Sequence, residues 1–215
     1  MADDVAKKIH DNLSKYPKRS YPKGQILVFT DESPEYIFYI VKGRVRKYDV
    51  SYRGEEVIVN IFQPPSFFPM SWAINRSANR YFYKTETEAE LHVVPVDEAL
   101  TFIKDNPDVM LDLLSRIYRG MDGLLGRVVH LMSGSAKSRL LYELIIECRR
   151  FGEKHKNAFL LTVNEVDLAA RSGLSRETVS REMNKLKAEN LVNVSSKGIA
   201  IKDLAALEKK IGIEI

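Results

Sequence analysis

Five side chains in the last fifth of the chain have types and spacing suited to reading the edges of nucleic-acid bases. Glu177, Ser180, Arg181 and Asn184 fall at i, i+3, i+4 and i+7, so any helix containing them carries them on one face, with Arg176 at its leading edge. An arginine fork matches the two acceptors on a guanine edge, and a glutamate accepts from a cytosine amino group. Serine and asparagine add shorter polar contacts to bases or phosphates. The competing reading is a solvated helix face stiffened by an i, i+4 Glu177–Arg181 pair, and the neighbouring sequence has to decide between the two.

The elements that would hold such a face are legible around it. Asn164 is a good N-cap with Asp167 three residues on, so a short helix is predicted to start there and to stop at Gly173. Ser175 then caps a second helix whose inward face is Val179, Met183 and Leu186. Short helix, glycine turn and capped second helix are the sequence form of a helix-turn-helix, whose second helix enters the major groove. Leu191-Val192-Asn193-Val194 and Gly198-Ile199-Ala200-Ile201 flank Ser195-Ser196-Lys197 as a hairpin, or wing. Lys197 at its tip is placed either to contact a phosphate or simply to be solvated. The charge distribution agrees with a polyanionic partner here. Residues 1–133 balance 18 basic against 18 acidic side chains, and residues 134–215 carry 15 against 11, so the whole net charge of +4 belongs to the C-terminal part.

Upstream lie two other textures. From about Ile26 to Val94, short apolar runs (Ile26–Phe29, Tyr36–Val41, Glu56–Ile61) alternate with turn residues at Pro22-Lys23-Gly24, Lys42-Gly43, Arg53-Gly54 and Pro64-Pro65. That spacing predicts an antiparallel sandwich or small barrel. A helix follows from about Asp108 to Ser133, with apolar positions Met110, Leu114, Ile117, Met121, Leu124, Val128 and Leu131 stepping four and three residues in turn. Such a seam suits a two-stranded coiled coil, hence a homodimer, although one helix packed on its own domain would show the same pattern. Gly120, Gly123 and Gly126 weaken this helix by roughly 1 kcal/mol each against alanine. They allow close helix approach, mark a segment ordered in one state, or are local weakness alone. Ser133-Gly134-Ser135 makes a hinge, and the remainder is expected to be helical and to end in the two short wing strands.

Other chemistries find little support. The single cysteine, Cys148, cannot form an internal disulfide, a zinc site or an iron–sulfur cluster within one chain, which points to a reducing cytoplasm. No apolar run reaches the ~20 residues of a membrane-spanning helix, and the acidic start Met1-Ala2-Asp3-Asp4 is unlike a secretory signal. His10, His92, His130 and His155 are not paired like metal ligands, and no nucleophile–base pair or phosphate loop is present, so no catalytic residue, cofactor or metal is expected.

Gly-Leu-Ser-Arg-Glu-Thr-Val-Ser-Arg at 173–181 resembles the recognition-helix signature of the Crp/Fnr superfamily, the cyclic-AMP receptor protein-like regulators. Tyr39-Ile40-Val41-Lys42-Gly43-Arg44-Val45 resembles the glycine-centred strand pair of that family's β-roll, Pro22-Lys23-Gly24-Gln25 the turn leading into it, and the seam helix sits where the family dimerises. The resemblance implies that Arg176, Glu177 and Arg181 read a palindromic half-site, TGTGA-like or, given Ser180, TTGA-like. It also implies RNA polymerase as a partner. The pattern departs at the cyclic-nucleotide cassette. Phe68-Pro69-Met70 stands where the family has Gly-Glu-Leu, and Asn79-Arg80 where it has Arg followed by Ser or Thr. The carboxylate is missing, Arg80 is out of register and Arg76-Ser77 comes too early, so tight cyclic-AMP binding is not expected. Aromatics remain, and Phe68, Trp72, Arg80, Tyr81 and Tyr83 are candidates to line an effector pocket, or else fill the core of the roll.

The resulting expectation is an α+β chain: a β-roll (double-stranded β-helix or jelly-roll-like) sensor-like domain over 1–107, a dimerisation helix over 108–133 and a winged helix-turn-helix over 134–215. It would act as a homodimeric regulator on palindromic double-stranded DNA, probing no membrane, with an unknown small-molecule effector. The other class of function considered is a small-molecule sensor acting mainly through a protein partner.

Overall fold

The computed structural model describes residues 2–155, 157–195 and 197–212. Contacts divide the chain into two compact units, and the division falls after Tyr118.

The first unit opens with α1 (Ala2–Leu13) and continues through β1 (Lys18–Tyr21), β2 (Ile26–Val28), β3 (Tyr36–Lys42), β4 (Val45–Val50), β5 (Glu56–Phe62) and β6 (Phe67–Phe68). After α2 (Met70–Asn75) come β7 (Phe82–Thr85), β8 (Ala89–Pro95), α3 (Val96–Lys104) and α4 (Pro107–Ser133), which runs on into the second unit. The strands form two antiparallel four-stranded sheets, ordered β1-β8-β3-β6 and β2-β7-β4-β5. The strand spacing indicated an antiparallel sandwich or small barrel, and the two sheets form the β-roll that the family resemblance implied. Alternation along β3 explains the layering. Ile40 points into the roll with Val28, Val45, Phe68, Tyr83, Ala89 and Leu91. Ile37 and Tyr39 point out, under a cap made by Ile9 and Leu13 of α1 and Ala99, Phe102 and Ile103 of α3. Gly43 turns β3 into β4 at φ 87°, and a Cβ there would lie 2.8 Å from the Ala89 Cα, so only glycine fits this crossing.

On α4 the seven seam positions are all exposed, between 38% and 54%. Leu111, Tyr118, Leu125 and Met132, each seven residues apart, widen the apolar face along its flank and are more exposed still.

The second unit contains α5 (Ala136–Phe151), β9 (Glu153–His155), β10 (Ala158–Leu161), α6 (Glu165–Ser172), α7 (Arg176–Ala188), β11 (Val192–Ser195), β12 (Gly198–Ile201) and α8 (Leu204–Lys210). Leu140, Leu144 and Ile145 of α5, Leu168 of α6 and Val179, Met183 and Leu186 of α7 form one core with Ile199 and Ile201. Ser135 caps α5 by accepting from the Ser138 N–H at 3.2 Å. The expectation that this part ends in two strands is corrected on two counts. The hairpin β9–β10 precedes the helix-turn-helix and joins β11 and β12 in a sheet ordered β11-β12-β10-β9. Helix α8 follows the wing, capped by Asp203 accepting from the Ala206 N–H at 3.0 Å. Both elements are too short for periodicity to show: β9 has three residues, all exposed, and α8 has seven.

Candidate nucleic-acid interface

The helix-turn-helix is built as its caps require. Asn164 Oδ1 accepts from the Asp167 N–H at 2.9 Å to start α6, and Gly173 ends that helix in the left-handed region at φ 62°. The Ser175 hydroxyl accepts from the Thr178 N–H at 3.2 Å and lies 3.1 Å from the Thr178 hydroxyl, fixing the first turn of α7. Val179, Met183 and Leu186 are fully buried beneath it.

This anchoring leaves the opposite face of α7 outward. Arg176, Glu177, Arg181 and Asn184 are exposed and Ser180 is half-buried, so the structure brings the five together as the spacing predicted. Their commitments differ. The Arg176 side chain makes no hydrogen bond or ion pair among the described residues. The Arg181 Nε lies 3.7 Å from the buried Glu182 carboxylate, and Asn184 accepts from Lys187 Nζ at 3.3 Å. Glu177 is held below the usual carboxylate range by its own backbone N–H, then by the Ser175 hydroxyl and the charge of Arg176. It serves the positive end of α7. No Glu177–Arg181 ion pair is formed among the described residues. Lys197 is exposed beside the wing strands, its N–H donating to Ser195 Oγ at 3.2 Å. The neighbouring Ser196 lies outside the described residues.

Beneath the interface is a layer that the sequence reading missed. Arg171 of α6 is paired with Glu147 of α5, both side chains almost wholly buried. One turn earlier on α5, Glu143 takes both Arg127 Nε and Nη2, the latter at 2.9 Å. Tyr142 donates to the Gly123 carbonyl at 3.0 Å and lies against His130, with ring centroids 4.6 Å apart. A Cβ on Gly126 would stand 2.8 Å from a carbon of the Tyr142 ring, so Gly126 is the notch that admits this tyrosine. Nothing in the structure explains Gly120. The available signal was Glu143 and Glu147, four residues apart within the apolar run of α5, where a carboxylate needs a buried partner. Burial pushes the Cys148 thiol up to about 11, which leaves it unreactive.

The five candidates for an effector pocket are not all brought together, and of the two alternatives the packing favours the core of the roll. Phe68 and Tyr83 are core residues of the roll, stacked 5.0 Å apart and 8° from parallel, with Phe62 and Phe38 stacked on Phe68 at 5.5 and 5.4 Å. Tyr81 packs at the edge of that cluster under the ammonium of Lys47, 3.9 Å from its ring centre. Trp72 belongs to the separate cluster on the other side of β3, and Arg80 is exposed. Phe68 and Tyr83 are strand residues that both face the roll core, whereas Trp72 sits on α2 and Arg80 on the segment before β7, and that divides the set. Arg76, the other arginine near the cassette position, binds Asp97 of α3 at 2.6 Å.

Residues 18–106 match the family described as the cyclic nucleotide-binding domain, and residues 138–210 match the Crp-like helix-turn-helix domain. The chain belongs to the Crp/Fnr superfamily. Similar curated proteins include the global nitrogen regulator of Synechocystis sp., 25% identical over 199 residues, covering 89% of this chain and 87% of that one. Another is the cAMP-activated global transcriptional regulator CRP of Haemophilus influenzae, 23% identical over 194 residues and covering 89% and 84%. Among solved structures, a CooA mutant from Carboxydothermus hydrogenoformans superposes with a TM-score of 0.77 at 21% identity, covering 93% of this chain and 89% of that one. As a Crp/Fnr member the chain is a DNA-binding transcription regulator.

Proposed function

We propose that the protein is a homodimeric regulator that reads a palindromic DNA site without needing cyclic AMP. Arg176, Glu177, Ser180, Arg181 and Asn184 contact base edges of a TGTGA-like or TTGA-like half-site, and Lys197 meets a phosphate. Residues 108–133 pair two copies along the exposed apolar face of α4, placing two recognition helices about 34 Å apart, one DNA turn. Residues 1–107 act as a sensor-like domain and 134–215 as the DNA-binding domain. The protein works in the cytoplasm, by binding rather than catalysis, with RNA polymerase as its functional partner. Independence from cyclic AMP follows from the missing cassette carboxylate and from Arg76 and Arg80, neither of which is in the roll core.

The observation that carries this reading is the outward, polar face of α7, held by two capped helices and anchored on Val179, Met183 and Leu186. Fluorescence anisotropy with a palindromic TGTGA-type duplex and a shuffled control, at one salt concentration with and without cyclic AMP, tests it. Selective binding unchanged by the nucleotide is expected; selectivity that appears only with cyclic AMP would refute the independence, and selection from random DNA follows if both duplexes bind alike. For the dimer, Leu124→Asp puts a charge in the apolar face and should sediment as a monomer. A variant that stays dimeric would place the interface elsewhere.

A further inference from the structure

The aromatic stack inside the roll stops at Phe38. Beyond it lies a cavity of about 490 Å³, within the range of small-molecule sites. Register explains the walls. Arg19 and Tyr21 of β1 pair with Leu91 and Ala89, and Tyr36 and Phe38 of β3 pair with Pro95 and Val93, so all of these point to the interior face of one sheet. Leu27 of β2 closes the space from the other sheet. Tyr21 meets Phe38 edge-on, ring centroids 6.4 Å apart, forming the floor. Here the core leaves Tyr21, Leu27 and Phe38 only partly covered, whereas Phe68 and Tyr83 at the other end of the stack are sealed.

Two charged groups line this cavity. Glu98 is engaged: its carboxylate accepts from the Tyr16 hydroxyl at 2.5 Å. The Arg19 side chain makes no hydrogen bond or ion pair among the described residues, so its guanidinium is open to an anion. A single cation in a lining that also holds an acid suits a monoanion better than a dianionic phosphate, and the fork geometry suits a carboxylate. We infer that this cavity binds a small amphipathic monocarboxylate, its apolar body between Leu27, Phe38 and Val93 and its carboxylate on Arg19. The site is distinct from the cassette position, and it stands independently of which DNA sequence the protein reads.

Decanoate is the probe, titrated against DNA-free protein carrying the neutral dye N-phenyl-1-naphthylamine, with decanol as the uncharged control. Decanoate should displace the dye from the wild type. In Arg19→Gln its affinity should fall about tenfold, the scale of one charge-assisted bond, while dye and decanol binding stay unchanged. Leu27→Trp, which fills the cavity, should abolish all three, with circular dichroism confirming its fold. No displacement in the wild type, or displacement equally strong in Arg19→Gln, would overturn the proposal. So would dye binding that survives in a folded Leu27→Trp, since it would locate the dye on another apolar surface.

Discussion

The outer face of α7 and the aromatic set around the cassette position both look, in sequence, like groups gathered for a ligand. The fold treats them oppositely. Beneath α7, Val179, Met183 and Leu186 fill the core, and Arg176 and Arg181 stay exposed. In the roll, Phe68 and Tyr83 are themselves the core, and burial pushes the Tyr83 phenol well above its ordinary value. The difference teaches where site chemistry can be read from sequence: polar groups opposite a complete apolar stripe are available, whereas aromatics on alternating strand positions are claimed first by packing.

Several substitutions sharpen that contrast. The largest effects should come from groups the fold has used. Phe68→Ala should cost about 3–5 kcal/mol of the first unit's stability in urea unfolding, since a stacked core ring leaves a cavity. A loss below about 1 kcal/mol would mean the stack is an adaptable pocket after all. Glu147→Ala should be as costly, about 3–5 kcal/mol, because it strands the buried Arg171 guanidinium without its carboxylate. Ser175→Ala should cost about 1 kcal/mol by removing the α7 cap, readable as a lower melting temperature of the second unit. The smallest effect concerns Glu189, whose carboxyl is pulled down to about 2 by hydrogen bonds to Lys137 and then Lys210. A depressed folded-state value contributes stability that is present above the ordinary carboxylate value and lost as the pH falls through about 2. Melting temperatures of wild type and Glu189→Gln should therefore differ near neutral pH and converge on acidification; a constant gap would assign the effect to something other than ionisation.

Much of this was legible because the signals are local. Asn164, Gly173 and Ser175 announce their helices by backbone chemistry that acts within three or four residues, and the register of α7 follows at once. The sandwich-or-barrel class of the first unit was legible through strand length and turn residues such as Gly43, and the roll itself through the family resemblance, although which aromatics share a cluster depends on pairings across the chain. Phe38 meets Phe68 because β3 pairs with β6, a relation no window of sequence contains. The buried Arg171–Glu147 pair was missed for the same reason: an arginine near a helix end reads as solvated until a distant carboxylate is placed over it. The glycines of α4 became intelligible in part, Gly126 through the Tyr142 ring that it admits.

The most direct test of the recognition face is the base discrimination of Arg181→Ala beside the wild type, on matched and shuffled duplexes at the same salt concentration. The substitution should leave the melting temperature unchanged, since Arg181 is exposed, and should remove about 1–3 kcal/mol of discrimination. Discrimination retained in full by a folded Arg181→Ala would contradict the assignment of this face to base reading.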